Sequence, residues 1–272
     1  LKEVNDAIMG GYWRNYASRS LIQGGAPSDA TNIDYITIAS AGNATDFGDV
    51  IVAVSGRNGY SSFIRGIFAG GKTPLNTAID YITMASTGNA ADFGDLSTNV
   101  DLAAGASNSI RGISAGGRTP SVVNVIQYAT MASTGNAIDF GDLTVARMQV
   151  IGMSSPTRAV FAGGGAADGA EVDTIDFVEI ATTGNAADFG DCVSTRTTQA
   201  SASSSTRGIT MGAYDGGQTG VIDFLTIASK GNMVNYGDLS VTRISTGGTD
   251  NSVRAVLMAG PGTDGNAVNT ID

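Results

Sequence analysis

The chain has no histidine, one cysteine (Cys192), one tryptophan and five prolines among its 272 residues. Each shortage excludes something. Without histidine, the most common general base and the most common metal ligand are missing together. A single cysteine permits no internal disulfide framework and leaves the redox compartment open. No run approaches the 18 or so consecutive apolar residues of a membrane-spanning helix, so no membrane insertion is expected. Cations are scarce as well: 15 Lys and Arg against 25 Asp and Glu give a net charge of −10. That balance opposes attraction to phosphate backbones and argues against nucleic acid as a partner. No signal or targeting run is visible and the chain opens on Leu1, so localisation is not legible from this end.

Glycine is abundant, at 38 residues. With so little proline, this points to tight turns rather than to a disordered Pro-plus-Gly segment. The turns recur. A Gly-Asn pair followed by an acidic aromatic turn begins at Gly42, Gly88, Gly135, Gly184 and Gly231, with spacings of 46, 47, 49 and 47. Ahead of each lies an apolar run opened by an Ile-Asp pair or its equivalent, at Ile33, Ile79, Ile126, Ile175 and Ile222, and a sixth pair, Ile271 and Asp272, closes the chain. Ahead of these in turn, an arginine leads a short apolar run into glycine, at Arg19, Arg65, Arg111, Arg158, Arg207 and Arg254.

The runs are short, rich in Ile, Val, Tyr, Phe and Thr, and bounded by Gly, Asn, Asp and Ser, which predicts strands and no amphipathic helix. Four strands per repeat make one propeller blade. The expected fold is therefore all-β: a single domain over 1–272, a six-bladed β-propeller of four-stranded antiparallel blades. Its last blade is incomplete, short of about 15 residues by the internal period. Because an open blade edge invites pairing, a fragment of a longer chain is expected.

The repeated arginines and the repeated aspartates of the Ile-Asp pair (Asp34, Asp80, Asp176 and Asp223) read as structural groups, each arginine bonding a carboxylate or backbone group once per blade. An arginine ring for acidic ligands is the functional alternative. The Gly-Asn-x-x-Asp-Phe-Gly-Asp turn, as at Asn89, Asp92 and Asp95, carries oxygen ligands of a calcium-binding kind, but turn chemistry explains it better. Its acidic spacing is not that of a calcium loop. The Gly-Gly-Lys at 70–72 lacks the context of a phosphate-binding loop and reads as a strand exit. Catalysis finds no footing: a copper oxidase needs histidines, a sialidase-type site needs an Asp-box that is absent, and Cys192 has no histidine partner. No cofactor and no metal are expected. Departures from the repeat are where function is sought. Tyr12, Trp13, Tyr16 and Tyr60 form an aromatic group confined to the first two units and placed on the turns before the Arg-led strands. These rings suit either stacking on sugars and protein surfaces or packing against a neighbouring segment.

The pattern resembles the kelch repeat. Gly70 and Gly71, Gly116 and Gly117, and Gly163 and Gly164 match its double glycine; Tyr35, Tyr81, Tyr128, Phe177 and Phe224 match its first aromatic; Ala146 and Arg147 match its Ala-Arg pair. Phe47, Phe93, Phe140, Phe189 and Tyr236 stand where that family carries tryptophan, so the form is divergent. The phrase shared by 79–96 and its equivalents is also similar to repeats in virion and tail-fibre proteins of tailed phages, particularly marine cyanophages. These resemblances imply a propeller fold and a non-enzymatic module of a phage virion, facing outward, whose loops bind a host-surface glycan or protein receptor. The alternatives are a structural virion or surface component contacting other virion subunits or copies of itself, and a secreted or cell-surface lectin.

Overall fold

A computed structural model describes residues 19–23, 30–72, 74–245, 247–251, 254–258 and 271. None of these lies in a helix. The first unit pairs β1 (Arg19–Gln23), β2 (Asn32–Thr37) and β3 (Thr45–Asp49). The second is the meander β4 (Asn58–Ser61), β5 (Arg65–Ala69), β6 (Ala78–Thr83) and β7 (Ala91–Asp95). In the third, β8 (Ala104–Ser107) and β9 (Arg111–Ala115) precede a small ribbon, β10 (Arg118–Thr119) and β11 (Ser121–Val122), and then β12 (Val125–Thr130) and β13 (Ile138–Asp142). After β14 (Arg147–Met148), the fourth unit runs β15 (Ile151–Ser154), β16 (Arg158–Ala162), β17 (Gly165–Ala166, paired with β14), β18 (Thr174–Glu179) and β19 (Ala187–Asp191). The fifth is β20 (Ala200–Ser203), β21 (Arg207–Tyr214), β22 (Gln218–Thr226) and β23 (Val234–Asp238), and β24 (Gly247–Asp250) with β25 (Ala255–Met258) forms a hairpin.

The fold is a β-propeller of small antiparallel sheets, but the described residues do not show six four-stranded blades. Five sheets of three or four strands are present, and the sixth repeat contributes a two-stranded hairpin with one bridge, Met258 to Ile271. The first sheet has three described strands because its counterpart of β4 would fall before Arg19, outside the described residues.

The strands are short because each blade is a radial strip, and both faces of the strip are covered by neighbours. Six apolar clusters fill the spaces between units. One joins Ile36 and Ile38 of the first unit to Val256 and Met258 of the last hairpin. Each of the five sheets of three or four strands repeats a stack across its own strands: an Arg over an aromatic ring, which meets a second ring edge-on. Arg65 lies 4.7 Å from the Tyr81 ring centre, and Tyr81 meets Phe93 at 5.8 Å and 77°. Edge-to-face pairs of this kind contribute about 0.5–1.5 kcal/mol each beyond their area burial. Where the Ile-Asp strand meets the outer strand the register slips by one residue in every sheet, as between Ile79 and Asp80. This bulge sits opposite Phe-Gly, where Gly94 takes a φ of +144°.

Candidate functional site

The innermost strands β4, β8, β15, β20 and β24 carry Gly, Ala and Ser because space narrows toward the axis. A Cβ added at Gly105 would collide with Gly59 O, one at Gly152 with Gly105 O, and one at Gly248 with Ser201 O. Ser201 occupies the equivalent position in β20, where its Oγ donates to Gly152 O at 2.8 Å. Two residues further on, a serine ring binds the units together. Ser107 Oγ donates to Ser61 O at 2.8 Å and Ser154 Oγ to Ser107 O at 3.0 Å. Each of these hydroxyls also accepts from the preceding unit's amide, and Ser203 Oγ accepts from Ser154 N at 3.2 Å. At the next station the serine is replaced. Asp250 Oδ2 accepts from Ser203 N at 2.7 Å.

These strands wall a central cavity of about 310 Å³, to which Arg19, Ser20, Tyr60, Thr249 and Asp250 also contribute. The ring hydroxyls of Ser107, Ser154 and Ser203 are buried and spent on the inter-unit bonds, so the wall offers a ligand axial backbone and, alone among the described stations of the ring, an ionisable acceptor at Asp250.

Tyr60 is placed differently from its expected loop. It lies in β4, is 7% exposed, and packs where Gly112 leaves room for its ring. Burial pushes its phenol above the ordinary value. The reason is local: in Asn58-Gly59-Tyr60-Ser61 the turn-type residues are the small inward positions of an axial strand. Tyr60 therefore lies in a strand, buried at the cavity wall, and not on an exposed turn. Tyr12, Trp13 and Tyr16 lie outside the described residues.

The repeated arginines and aspartates do not pair with each other. Arg65 donates to Met131 O at 2.9 Å, Arg111 to Ile180 O at 2.7 Å, Arg158 to Ile227 O at 3.2 Å and Arg19 to Met84 O at 3.4 Å. Every bond runs to the next unit, and Arg254 closes the circle by donating to Ile38 O in the first, at 3.2 Å. Arg207 lies over the Phe224 ring. The aspartates instead meet arginines that sequence reasoning did not assign to them. Arg57 reaches Asp80 at 2.6 Å and Arg147 reaches Asp176 at 2.7 Å. Arg196 Nη1 stands 2.6 Å from Asp223 Oδ2, in ion-pair contact but outside hydrogen-bond geometry. Asp34 accepts from Asn32 Nδ2 at 3.2 Å.

The asparagine of the Gly-Asn turn is likewise an inter-unit group, Asn89 Oδ1 accepting from Asp49 N at 3.1 Å. Asp95 accepts from Thr77 Oγ1 at 2.8 Å. Among the described residues no three acidic, cysteine or histidine side chains converge on a metal position. Cys192 is buried, and desolvation pushes its thiol up to about 11, away from the nucleophilic thiolate. Compared with known proteins, the chain matches no family model, and no curated protein is similar to it in sequence.

Proposed function

We propose that the chain is a recognition module: a kelch-like propeller ring of six repeat units, carried on a phage fibre, that binds a host-surface glycan at its central cavity. The observation that carries this reading is Asp250. Four of the five described units place serine at this station of the ring, and repetition serves the scaffold, so the one carboxylate among the described stations marks a departure for binding. Axial backbone and the Asp250 carboxylate suit the hydroxyls of a sugar. The count of six is supported by the terminal hairpin, which bonds to the first unit through Arg254 as each unit bonds to its neighbour. The phage and kelch assignments are supported by the repeated motifs alone.

The test is a glycan array followed by titration calorimetry on the parent and on Asp250→Ser, which restores the repeat's own residue. Saturable binding by the parent, weakened about tenfold or more in Asp250→Ser at an unchanged Tm, is expected. A folded parent that binds no glycan would sink the reading.

A second reading has its own observation. Ile51, Val52, Val145, Val193 and Val241 are exposed, and each lies in a linker just after an outer strand. Exposed aliphatics in four of the five linkers, with Ser97 and Thr98 in the other, favour a structural component packed against sibling subunits. Light scattering across a concentration series separates the two, since a monomer at all concentrations removes the structural reading.

A further inference from the structure

β1, β5, β9, β16 and β21 each open on an arginine, and in all but one the charge is left unneutralised. Arg19, Arg65, Arg111 and Arg207 stand opposite Thr37, Thr83, Thr130 and Thr226 in the strand register, and all four threonines are exposed. None of these arginines meets a carboxylate at ion-pair distance among the described residues, although the chain holds 25 Asp and Glu against 15 Lys and Arg. The fourth unit departs: Glu179 takes the place of the threonine, and its Oε1 accepts from Arg158 Nε at 2.7 Å. Arg65 is stacked over Tyr81 and donates from Nη1 to Met131 O, and Arg111 stands the same way over Tyr128 and on Ile180 O. Each guanidinium is thereby fixed, while its other donors have no partner among the described residues. These arginines share one end of the propeller. Because neighbouring strands are antiparallel, the turns leading into the Arg-led strands and those leading into the outer strands lie at that same end. Turns 62–64, 108–110, 155–157 and 204–206, and 39–44, 85–90, 132–137, 181–186 and 228–233, contain no acid; most of their residues are Ser, Thr, Asn, Ala and Gly, and Lys230 adds an exposed cation. The central cavity reaches this end, since Arg19 and the strand-end residues Ser61, Ser107, Ser154, Ser203 and Asp250 line it. Apart from Glu179 and Asp250, the described acids lie in outer strands, as Asp92 and Asp95, in the Ile-Asp strands, as Asp80, or at the opposite end, as Asp168, Glu171 and Asp215.

Resting on the glycan reading of the cavity for the kind of ligand, we propose that this arginine-bearing end binds an acidic glycan. Its carboxylate or sulfate groups take the open donors of Arg19, Arg65 and Arg111, and its hydroxyls meet the serine and threonine turns between them. A guanidinium held on one side by a carbonyl and stacked on a ring presents its remaining donors in a fixed direction, so little ordering is left for the ligand to impose. Charge segregation sets the kind of polymer. A chain of net charge −10 repels a long, densely charged partner everywhere but here, so acidic groups spaced by neutral sugar suit it better than a nucleic acid. Glu179 marks the edge of the surface, because beside it Arg158 is already neutralised.

The probe is immobilised hyaluronan, which carries a carboxylate on alternate sugars, titrated with the full chain by biolayer interferometry. Its neutral methyl ester, chondroitin sulfate, duplex DNA and polyglutamate are the comparison arms. Saturable binding to hyaluronan and to chondroitin sulfate is expected, their ratio telling carboxylate from sulfate as the preferred anion, with none to the methyl ester and a several-fold loss between about 50 and 200 mM salt. The double variant Thr83→Glu, Thr130→Glu gives Arg65 and Arg111 the partner that Arg158 already has and should weaken binding about tenfold or more. Glu179→Thr restores the repeat's own residue and should strengthen it. All three positions are exposed, so circular dichroism and Tm should match the parent. Three results would overturn the proposal: a folded parent that binds neither acidic glycan, equal binding of the methyl ester, or equal binding by the double variant. Tighter binding of duplex DNA or polyglutamate would also overturn it and replace the glycan as occupant. Binding of the methyl ester that Asp250→Ser alone abolishes would overturn it too, while leaving the cavity reading intact.

Discussion

Beneath the linker from the third unit to the fourth, Arg147 and Asp176 form an ion pair with both side chains 0% exposed; one unit earlier the same two positions hold Val100 and Gln127. In the charged version Asp176 accepts from Thr144 N at 3.1 Å and Thr144 Oγ1 at 2.6 Å. Arg147 donates to the carbonyls of Gly163, Thr174 and Phe161. In the neutral version Gln127 Oε1 accepts from Thr98 N at 3.1 Å and Ser97 Oγ at 2.8 Å, and its Nε2 donates to Thr98 O at 3.0 Å. The second unit shows the logic a third way. It has Val54 at the arginine position but keeps Asp80, and Arg57, three residues further along, supplies the cation. What the fold requires is a buried acceptor that holds the linker's amide; charge is tolerated there only with its counter-charge, because an uncompensated buried ion costs several kcal/mol.

The comparison breaks most severely if one partner is removed. Arg147→Ala strands Asp176 in the core and leaves three carbonyls short of a donor, and a loss of about 3–5 kcal/mol is expected in urea unfolding. The double variant Arg147→Val, Asp176→Gln, which copies the Val100 and Gln127 pair, should recover most of that loss. A double variant no more stable than Arg147→Ala would show that the two junctions are not equivalent. Gln127→Asp is the reverse experiment, expected to cost about 2–3 kcal/mol at pH 7. Burial without a cation raises the new carboxyl above its unfolded value, so the folded state binds the proton more tightly. The penalty is then full above the raised folded value, shrinks as pH falls through it, and is gone below about pH 4, where the unfolded aspartate is protonated too. Adding Val100→Arg should remove the pH dependence.

The repeat, its strands and the two aromatics of each blade were legible because periodic demands leave periodic residues. Tyr81 and Phe93, for instance, recur as Tyr128 and Phe140 and stack in the same way. Arg57 was not legible as the partner of Asp80, since it sits off the repeat's register. Arg147 and Asp176 are 29 residues apart, one in a linker and one in a blade strand, and chain spacing carries no sign that they meet. Nor does the pairing of Val100 with Gln127 serve as a signal, since Val54 stands before a unit that keeps Asp80. Gly-Gly-Thr-Asp reads as a turn and so hides Asp250 in the sequence, and Asn-Gly-Tyr-Ser points Tyr60 to a loop for the same reason. Axial strands this poor in β-branched residues look like turns until the ring places them.

The linkers differ in backbone strain as well as in buried charge. At the position where the linker turns toward the axis, the second unit has Gly56 at φ +71°, while its equivalents Leu102, Gln149, Thr198 and Ser245 hold φ between +51° and +57°. The geometry is repeated because it bonds unit to unit: Leu102 N donates to Gly56 O at 2.9 Å, Gln149 N to Leu102 O at 2.8 Å and Ser245 N to Thr198 O at 2.9 Å. Thr198 has the most strain to release, being β-branched in the left-handed region. Its hydroxyl is buried without a hydrogen-bond partner, so nothing polar is lost on its removal. Thr198→Gly relieves the strain and keeps the backbone bond, against the greater freedom glycine gives the unfolded chain. A net gain of about 1 kcal/mol, or roughly 2–4 °C in Tm by calorimetry, is expected. Leu102→Gly should gain less, because Leu102 also packs its side chain on Gly56. If Thr198→Gly is destabilising, the threonine is contributing packing that outweighs its strain, and the four residues differ in role as well as in type.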